Sequence, residues 1–375
     1  MIDLTSLFLI AGVFLAAVLG DAALFGDRVQ VHISVPGKIA DTGFNEAAAE
    51  QVFAAQVAEM GRAISIVETP SVQMSTRPTI LAALAKPLSL DNVVVAILGQ
   101  AGMDVVTVHG VIVTGDKGRA LDMVTVVSMP RELPVQIRLS QEDGDATALV
   151  QRAAEDAMEW VAPYRLALTQ FTRGLAGNQK GFLRAKEIAG RAVAHPWVPA
   201  RATEQVMLHN LLAMLALLDG DAAGVEAQFR LAEAIPGAAS PAHGVIELNR
   251  SFLAVAARKP EEAARYYQAG LELTAGVQLQ GWDARSLTLG ALVAWSGGDI
   301  EKAEPLLRHA IADIPDDESP HAYLAQLLEA KGDAAGAAAE RATAARVSQF
   351  DIEIPAQVQS LYWVDPAHGG LKRRG

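Results

Sequence analysis

The chain has no cysteine. This absence excludes disulfide staples, thiol nucleophiles and Cys-ligated zinc or iron–sulfur centres, and it fits either side of a membrane. Basic charge is also short: 31 Lys and Arg stand against 43 Asp and Glu, a formal net charge of −12. The basic footprint of a nucleic-acid-binding chain is therefore missing, and the acidic balance reads as a solvated surface. Aromatic residues make up only 5%. The chain also lacks HExxH, GxSxG and GxxxxGK[ST], and no histidine is spaced locally with a carboxylate as metal ligands are. The expectation is a non-enzymatic protein with no cofactor, no metal and no nucleic-acid partner.

What the chain does have is apolar content, 51% of 375 residues, with 20% charged. That excludes a largely disordered chain and leaves room for two or three domains. Leu4 to Gly20 (LTSLFLIAGVFLAAVLG) carries no charge. Seventeen helical residues span roughly 25 Å, enough for a thin hydrocarbon layer. The expectation is a transmembrane anchor over residues 1–27, with membrane contact through 4–20. A cleaved signal peptide with Gly20-Asp21-Ala22 as its site, or a buried core helix, are the alternatives. Both membrane readings expect a basic residue ahead of the run, and there is none. Arg28 and Lys38 follow the run, which on the positive-inside count keeps the bulk of the chain cytoplasmic.

Residues 28–145 alternate strand and helix signals. RVQVHISVP (28–36) has the period of a half-buried strand, and Phe44 to Met60 reads as a helix. Ile64 to Met74 reads as extended, and Ser89 to Gln100 as a second helix. VVTVHGVIV (105–113) and RALDMVTVV (119–127) form a hairpin, and PVQIRLS (134–140) adds a strand. The result is a small α+β domain. His32 and His109 read as surface or satisfied histidines, and Glu142 to Asp145 as the acidic start of a helix. If this domain were instead a small-ligand sensor or an enzyme, Asp41, Asn45, Glu46, His109 and Asp116 are the residues that would have to converge. Self-association through this domain is a further alternative.

The remaining chain repeats. Gly298-Asp299 is followed by Ala303, Leu307, Ala310 and Pro315; 34 residues on, Gly332-Asp333 is followed by Ala337, Arg341 and Ala344. Gly220, Asp221, Val225, Phe229 and Ala232 keep the same offsets, as do Arg258, Lys259, Ala263, Tyr267 and Gly270. A tight turn, a helix cap and small residues for close packing are what a helical hairpin needs. The pattern resembles the second helix of the tetratricopeptide repeat, GDxxxAxxxF/YxxA closing on Pro. Leu324-Ala325 with Leu328 match its first helix. Departures are the absent Trp near each repeat's start, spacings of 38 and 40 residues between the earlier copies, and Pro305 inside a helix. The resemblance covers residues 164 to 346, with a degenerate unit over 164–197.

The expected layout is thus an N-terminal transmembrane helix (1–27), a small α+β domain (28–145), an all-α solenoid resembling tetratricopeptide repeats (146–346), and a C-terminal capping segment and basic tail (347–375). This order resembles that of bacterial membrane-anchored proteins of the same repeat family. Proteins of this build more often export their large domain, so the expectation is a single-pass inner-membrane protein with its soluble part in the periplasm. The layout itself implies no activity, and it is the stacked repeats that point to a scaffold for protein partners. The family's inward-facing positions fall here on Asn210, Met214, Asn249, Phe252, Arg285, Trp295, Tyr323 and Gln326, which would line a concave partner-binding groove. Residues 348–363 (SQFDIEIPAQVQSLYW) would either cover the outer face of the last repeat, as terminal repeats require, or lie in the groove as an internal plug. Lys372 to Arg374 reads as a solvated tail.

Overall fold

In a computed structural model of the protein, residues 29–61, 106–114, 120–129, 133–195, 201–277, 281–347 and 357–374 are described. They fall into two compact units that divide between Thr169 and Gln170.

The first unit is built on a four-stranded sheet in the order β1 (Val29–Ser34), β2 (Val106–Thr114), β3 (Leu121–Ser128), β4 (Val135–Gln141). β1 pairs with β2 in parallel, and the other two pairings are antiparallel. The alternation in the sequence sets the faces: Val29, Val31, Ile33, Val108, Ile112, Met123 and Val127 are buried, while His32 and His109 are exposed. Three helices follow the strands' logic: α1 (Gly37–Ala40), α2 (Glu46–Gly61) and α3 (Ala146–Val161). α2 buries Phe53, Val57 and Met60, and α3 buries Leu149, Val150, Ala153 and Ala157. α3 packs on α2, β3 and β4, so its apolar stripe serves the sheet, although the sequence pattern had grouped residues 146–161 with the helical half. Gln56 Nε2 donates to Glu155 Oε1 at 3.1 Å across the α2–α3 seam. The expected hairpin appears as β2 and β3. The anchor, the extended stretch at 64–74 and the helix at 89–100 lie outside the described residues. Among the described residues no helix is long and apolar enough to cross a membrane.

The second unit is helical and proceeds in pairs. α4 (Pro163–Leu175), which crosses the division, precedes α5 (Gln179–Ala194). Then come α6 (Ala202–Leu218) with α7 (Ala222–Glu233), α8 (Ser240–Ala256) with α9 (Pro260–Leu273), α10 (Trp282–Ser296) with α11 (Ile300–Asp313), and α12 (Glu318–Ala330) with α13 (Ala334–Val347). α11 runs on through Pro305.

The recurring Gly-Asp is the turn inside three of the pairs, α6–α7, α10–α11 and α12–α13. Gly220, Gly298 and Gly332 have φ of 75°, 87° and 84°, a conformation that disfavours any residue with a Cβ. Asp221, Asp299 and Asp333 then cap the second helix, each accepting from the amide three residues on at 2.8, 3.0 and 2.9 Å. The α8–α9 turn breaks this rule at both positions: Arg258 sits at φ 58°, and Lys259 makes no side-chain cap bond. The small residues are contact points. Ala263, Ala303, Ala310 and Ala337 are buried, and a Cβ on Gly270 would come within 2.6 Å of Leu248. Phe229 and Leu307 are buried, whereas Arg341, at the same offset, is exposed and ion-paired with Glu329. No further pair follows α13 among the described residues, so a polar side chain costs nothing there.

Candidate functional site

The first helices of the four pairs, α6, α8, α10 and α12, bring Asn210, Asn249, Arg285 and Tyr323 together, all at most 5% exposed. Buried polar groups require partners, and here they are arranged in a chain. Asn249 Nδ2 donates to Asn210 Oδ1 at 2.9 Å, which fixes the orientation of both amides. Asn249 Oδ1 accepts from the backbone amide of Val358 at 2.9 Å. Arg285 Nη1 donates to Ser360 Oγ at 2.7 Å, and the Tyr323 hydroxyl accepts from the Val364 amide at 3.2 Å. This face is therefore occupied by the chain's own C-terminal segment, residues 357–374.

The segment folds locally into a short helical turn, α14 (Val358–Leu361), and a two-stranded ribbon of β5 (Tyr362–Val364) and β6 (Leu371–Arg373). Asp365 closes the ribbon's turn: its Oδ1 accepts from the amides of Ala367 and His368, both at 2.9 Å. Gly369 and Gly370 complete the reversal at φ 77° and 92°. Burial works to raise the Asp365 carboxyl, but the bonds from His368 and Ala367 outweigh it and hold it below the usual aspartate range. Val358, Leu361 and Val364 are the segment's buried apolar anchors.

Further bonds spread the segment over the helices. The Tyr362 hydroxyl donates to Leu217 O at 3.1 Å, and the Gly370 amide to Ala256 O at 2.7 Å. Trp363 meets the Tyr323 ring edge-on, with centroids 5.3 Å apart. The Arg374 guanidinium lies 3.7 Å over the Trp363 ring and donates to Ser319 Oγ at 2.7 Å, while Glu318 stands 4.0 Å away. The Arg374 amide returns to Leu361 O at 3.0 Å, so the end of the segment is clasped to its beginning. Burial pushes the Tyr323 phenol up to about 12, partly opposed by the Val364 amide and the Arg374 charge.

A second polar cluster braces the scaffold beneath. Arg250 of α8 is ion-paired with Glu233, with Glu226 at 3.2 Å and with Glu247 at 3.4 Å, and its guanidinium lies 5.4 Å from the Phe229 ring centroid. Burial alone would lower the Arg250 pKa, but the three carboxylates raise it. Burial raises the Glu247 carboxyl despite the attraction of Arg250.

The groove residues expected from sequence divide. Asn210, Asn249, Arg285 and Tyr323 form the hydrogen-bonded row. Phe252 lines a small cleft with Leu248, Leu289 and Ser286, between the face and Gln357 and Gln359, with room for about one water. Met214 and Trp295 are buried, and Gln326 is exposed. The described part of the C-terminal segment contacts the first helices α6, α8, α10 and α12, and residues 348–356 lie outside the described residues. Lys372 and Arg373 are exposed, but Arg374 is not a solvated charge: its side chain is only 11% exposed. Sequence reasoning missed Ser319, Tyr362, Gly369 and Arg374. The available signal was the turn-rich DPAHGG (365–370) between YWV and LKR, a hairpin pattern.

In the first unit, Asn45 Oδ1 caps the Ala48 amide at 3.0 Å, which accounts for that side chain. His32 and His109 stack across the sheet with ring centroids 5.4 Å apart. Asp41 follows α1 and Glu46 opens α2, while Asp116 lies outside the described residues. Among the described residues no group of three His, Asp or Glu side chains is placed to hold a metal. No protein-family model matches the chain, and no curated protein matches it.

Proposed function

We propose that the protein is a non-enzymatic scaffold, tethered to a bacterial inner membrane, whose helical pairs are tetratricopeptide-like repeats and whose first-helix face binds a segment of a protein partner. One observation carries this reading: a polypeptide segment is already seated on that face, held by side chains that address its backbone. Asn249 and Tyr323 each bond to a main-chain amide, a mode that grips an extended chain without dictating its side chains. The uncharged run Leu4–Gly20 supports the tether, and the recurring Gly-Asp turns support the repeat assignment. Export of the soluble part is the topology the resemblance favours.

The test is in-cell crosslinking of the full-length protein, purification and mass spectrometry, with an Asn249→Ala Tyr323→Ala variant beside it. A stoichiometric partner present in the wild type and lost in the variant is the expected result. Recovery of the protein alone, or only as an oligomer of itself, would overturn the scaffold reading. The partner's compartment fixes the topology.

A further inference from the structure

We infer that residues 357–374 are a displaceable occupant, and that the first-helix face opens to a partner segment of the same chemistry when they leave. The inference rests on the scaffold reading and adds to it both a partner class and a gate.

The contacts that hold the segment specify the partner. Val358, Leu361 and Val364 are buried at a spacing of three. Ser360 presents a hydroxyl to Arg285, and Trp363 an aromatic edge to Tyr323. Arg374 folds back over Trp363 to reach Ser319. The matching partner is thus a segment that forms a helical turn and a hairpin, with aliphatic residues three apart, an aromatic residue beside the last of them, and an arginine beyond the reverse turn.

The same contacts indicate displacement. Three of the hydrogen bonds from the segment to the helices are made by its own main-chain amides, those of Val358, Val364 and Gly370. A second segment of similar shape can reproduce them. The outer part of the segment, Asp365, Ala367, His368, Lys372 and Arg373, is exposed and adds nothing to the buried layer. A face whose open state is only fractionally populated binds any competitor with an affinity reduced by that fraction.

Gly369 offers a way to loosen the segment without touching the face. Its φ is 77°, and a Cβ there would lie 2.7 Å from Ala256 O and 2.6 Å from Arg258 Cγ. Gly369→Ala should therefore unseat the neighbouring Gly370–Ala256 bond. Trp363→Ala with Arg374→Ala is a second loosened variant, acting through the clasp.

The probe is a fluorescent synthetic peptide of residues 357–374, titrated by anisotropy against the full-length wild type, both loosened variants, and each variant combined with Tyr323→Ala. Hydrogen exchange of the Val358, Val364 and Gly370 amides, which are bonded to the helices in the docked segment, reports whether the cis segment has left. The expected result is peptide affinity at least about tenfold higher in the loosened variants than in the wild type, lost when Tyr323→Ala is added. Equal affinity for wild type and loosened variants would overturn the gate and leave the scaffold reading standing. No binding to variants whose segment amides exchange freely would overturn the face as a docking site, and the scaffold reading with it. Loosened variants that become dimers while ignoring the peptide would make a second copy the occupant, and overturn the partner assigned here.

Discussion

The Asn249 side chain accepts a hydrogen bond from the Val358 amide across 109 residues of sequence. Asn249 is simultaneously a donor to Asn210, so one side chain joins two helices to the C-terminal segment. Asn249→Ala removes both bonds and leaves the Val358 amide and a buried amide on Asn210 to find new partners. The expected cost is about 1–3 kcal/mol in urea unfolding. Gln326→Ala, at an exposed site on α12, should stay within about 0.5 kcal/mol of wild type.

Tyr323 is a reporter of the segment's position. Its phenol and that of Tyr267 are both pushed up to about 12 by burial. A group raised on folding contributes stability fully below its unfolded value, near 10, and that contribution is lost as pH climbs toward 12. Ultraviolet titration of the tyrosines should therefore show late ionisation of Tyr323 and Tyr267 in the wild type. In the Gly369→Ala variant Tyr323 should move back toward 10 while Tyr267 stays late. Stability of the wild type should decline between pH 10 and 12.

The α8–α9 turn is where the repeat breaks its own rule, and restoring the rule should stabilise it. Arg258→Gly relieves a positive φ that costs an L-residue about 1–2 kcal/mol, offset by about 0.5–1 kcal/mol of added chain entropy. Lys259→Asp supplies the cap that Asp221, Asp299 and Asp333 supply elsewhere, worth about 1 kcal/mol. The double variant should unfold at higher temperature than wild type by calorimetry. Asp299→Ala should do the reverse by about 1 kcal/mol.

Arg250 holds three carboxylates in check. Arg250→Ala strands Glu247 and Glu233 beside each other and should cost about 3 kcal/mol or more in denaturant. Glu247→Gln tests the sign of the electrostatics. The Glu247 carboxyl is raised by burial, so its favourable contribution is complete below its unfolded value near 4.5 and disappears as pH rises through the folded one. Glu247→Gln should therefore match wild type at pH 4 and exceed it in urea midpoint at pH 7.

Sequence made the helical half legible wherever local chemistry forced a choice. Gly298 and Gly332 could be read as turns because positive φ excludes most other residues, and Asp299 and Asp333 as caps because a helix leaves its first amides open. Asn210, Asn249, Arg285 and Tyr323 were reachable too, through the inward positions of the repeat pattern. What occupies them was only half legible. The C-terminal segment was recognisable as apolar, but its docking depends on Asn249, Ser319 and Tyr323, which are remote in sequence and leave no local period. Arg374 looked like one of three equal basic residues, and only the Trp363 ring beneath it singles it out. Helix α3 was grouped by its helical pattern, yet its apolar stripe packs on β3 and β4.

The amino-acid sequence by itself determined the local elements of this protein: the alternation that makes β1 to β4, the Gly-Asp turns, and the small residues that let helices pack in pairs. These follow from φ preferences, hydrogen-bond donors and side-chain period, which act over a few residues. Tertiary structure alone decided that the first helices face their own chain end. That choice is made by hydrogen bonds and ring contacts between residues from 40 to 145 positions apart, where no local preference acts and only the assembled face can select its occupant.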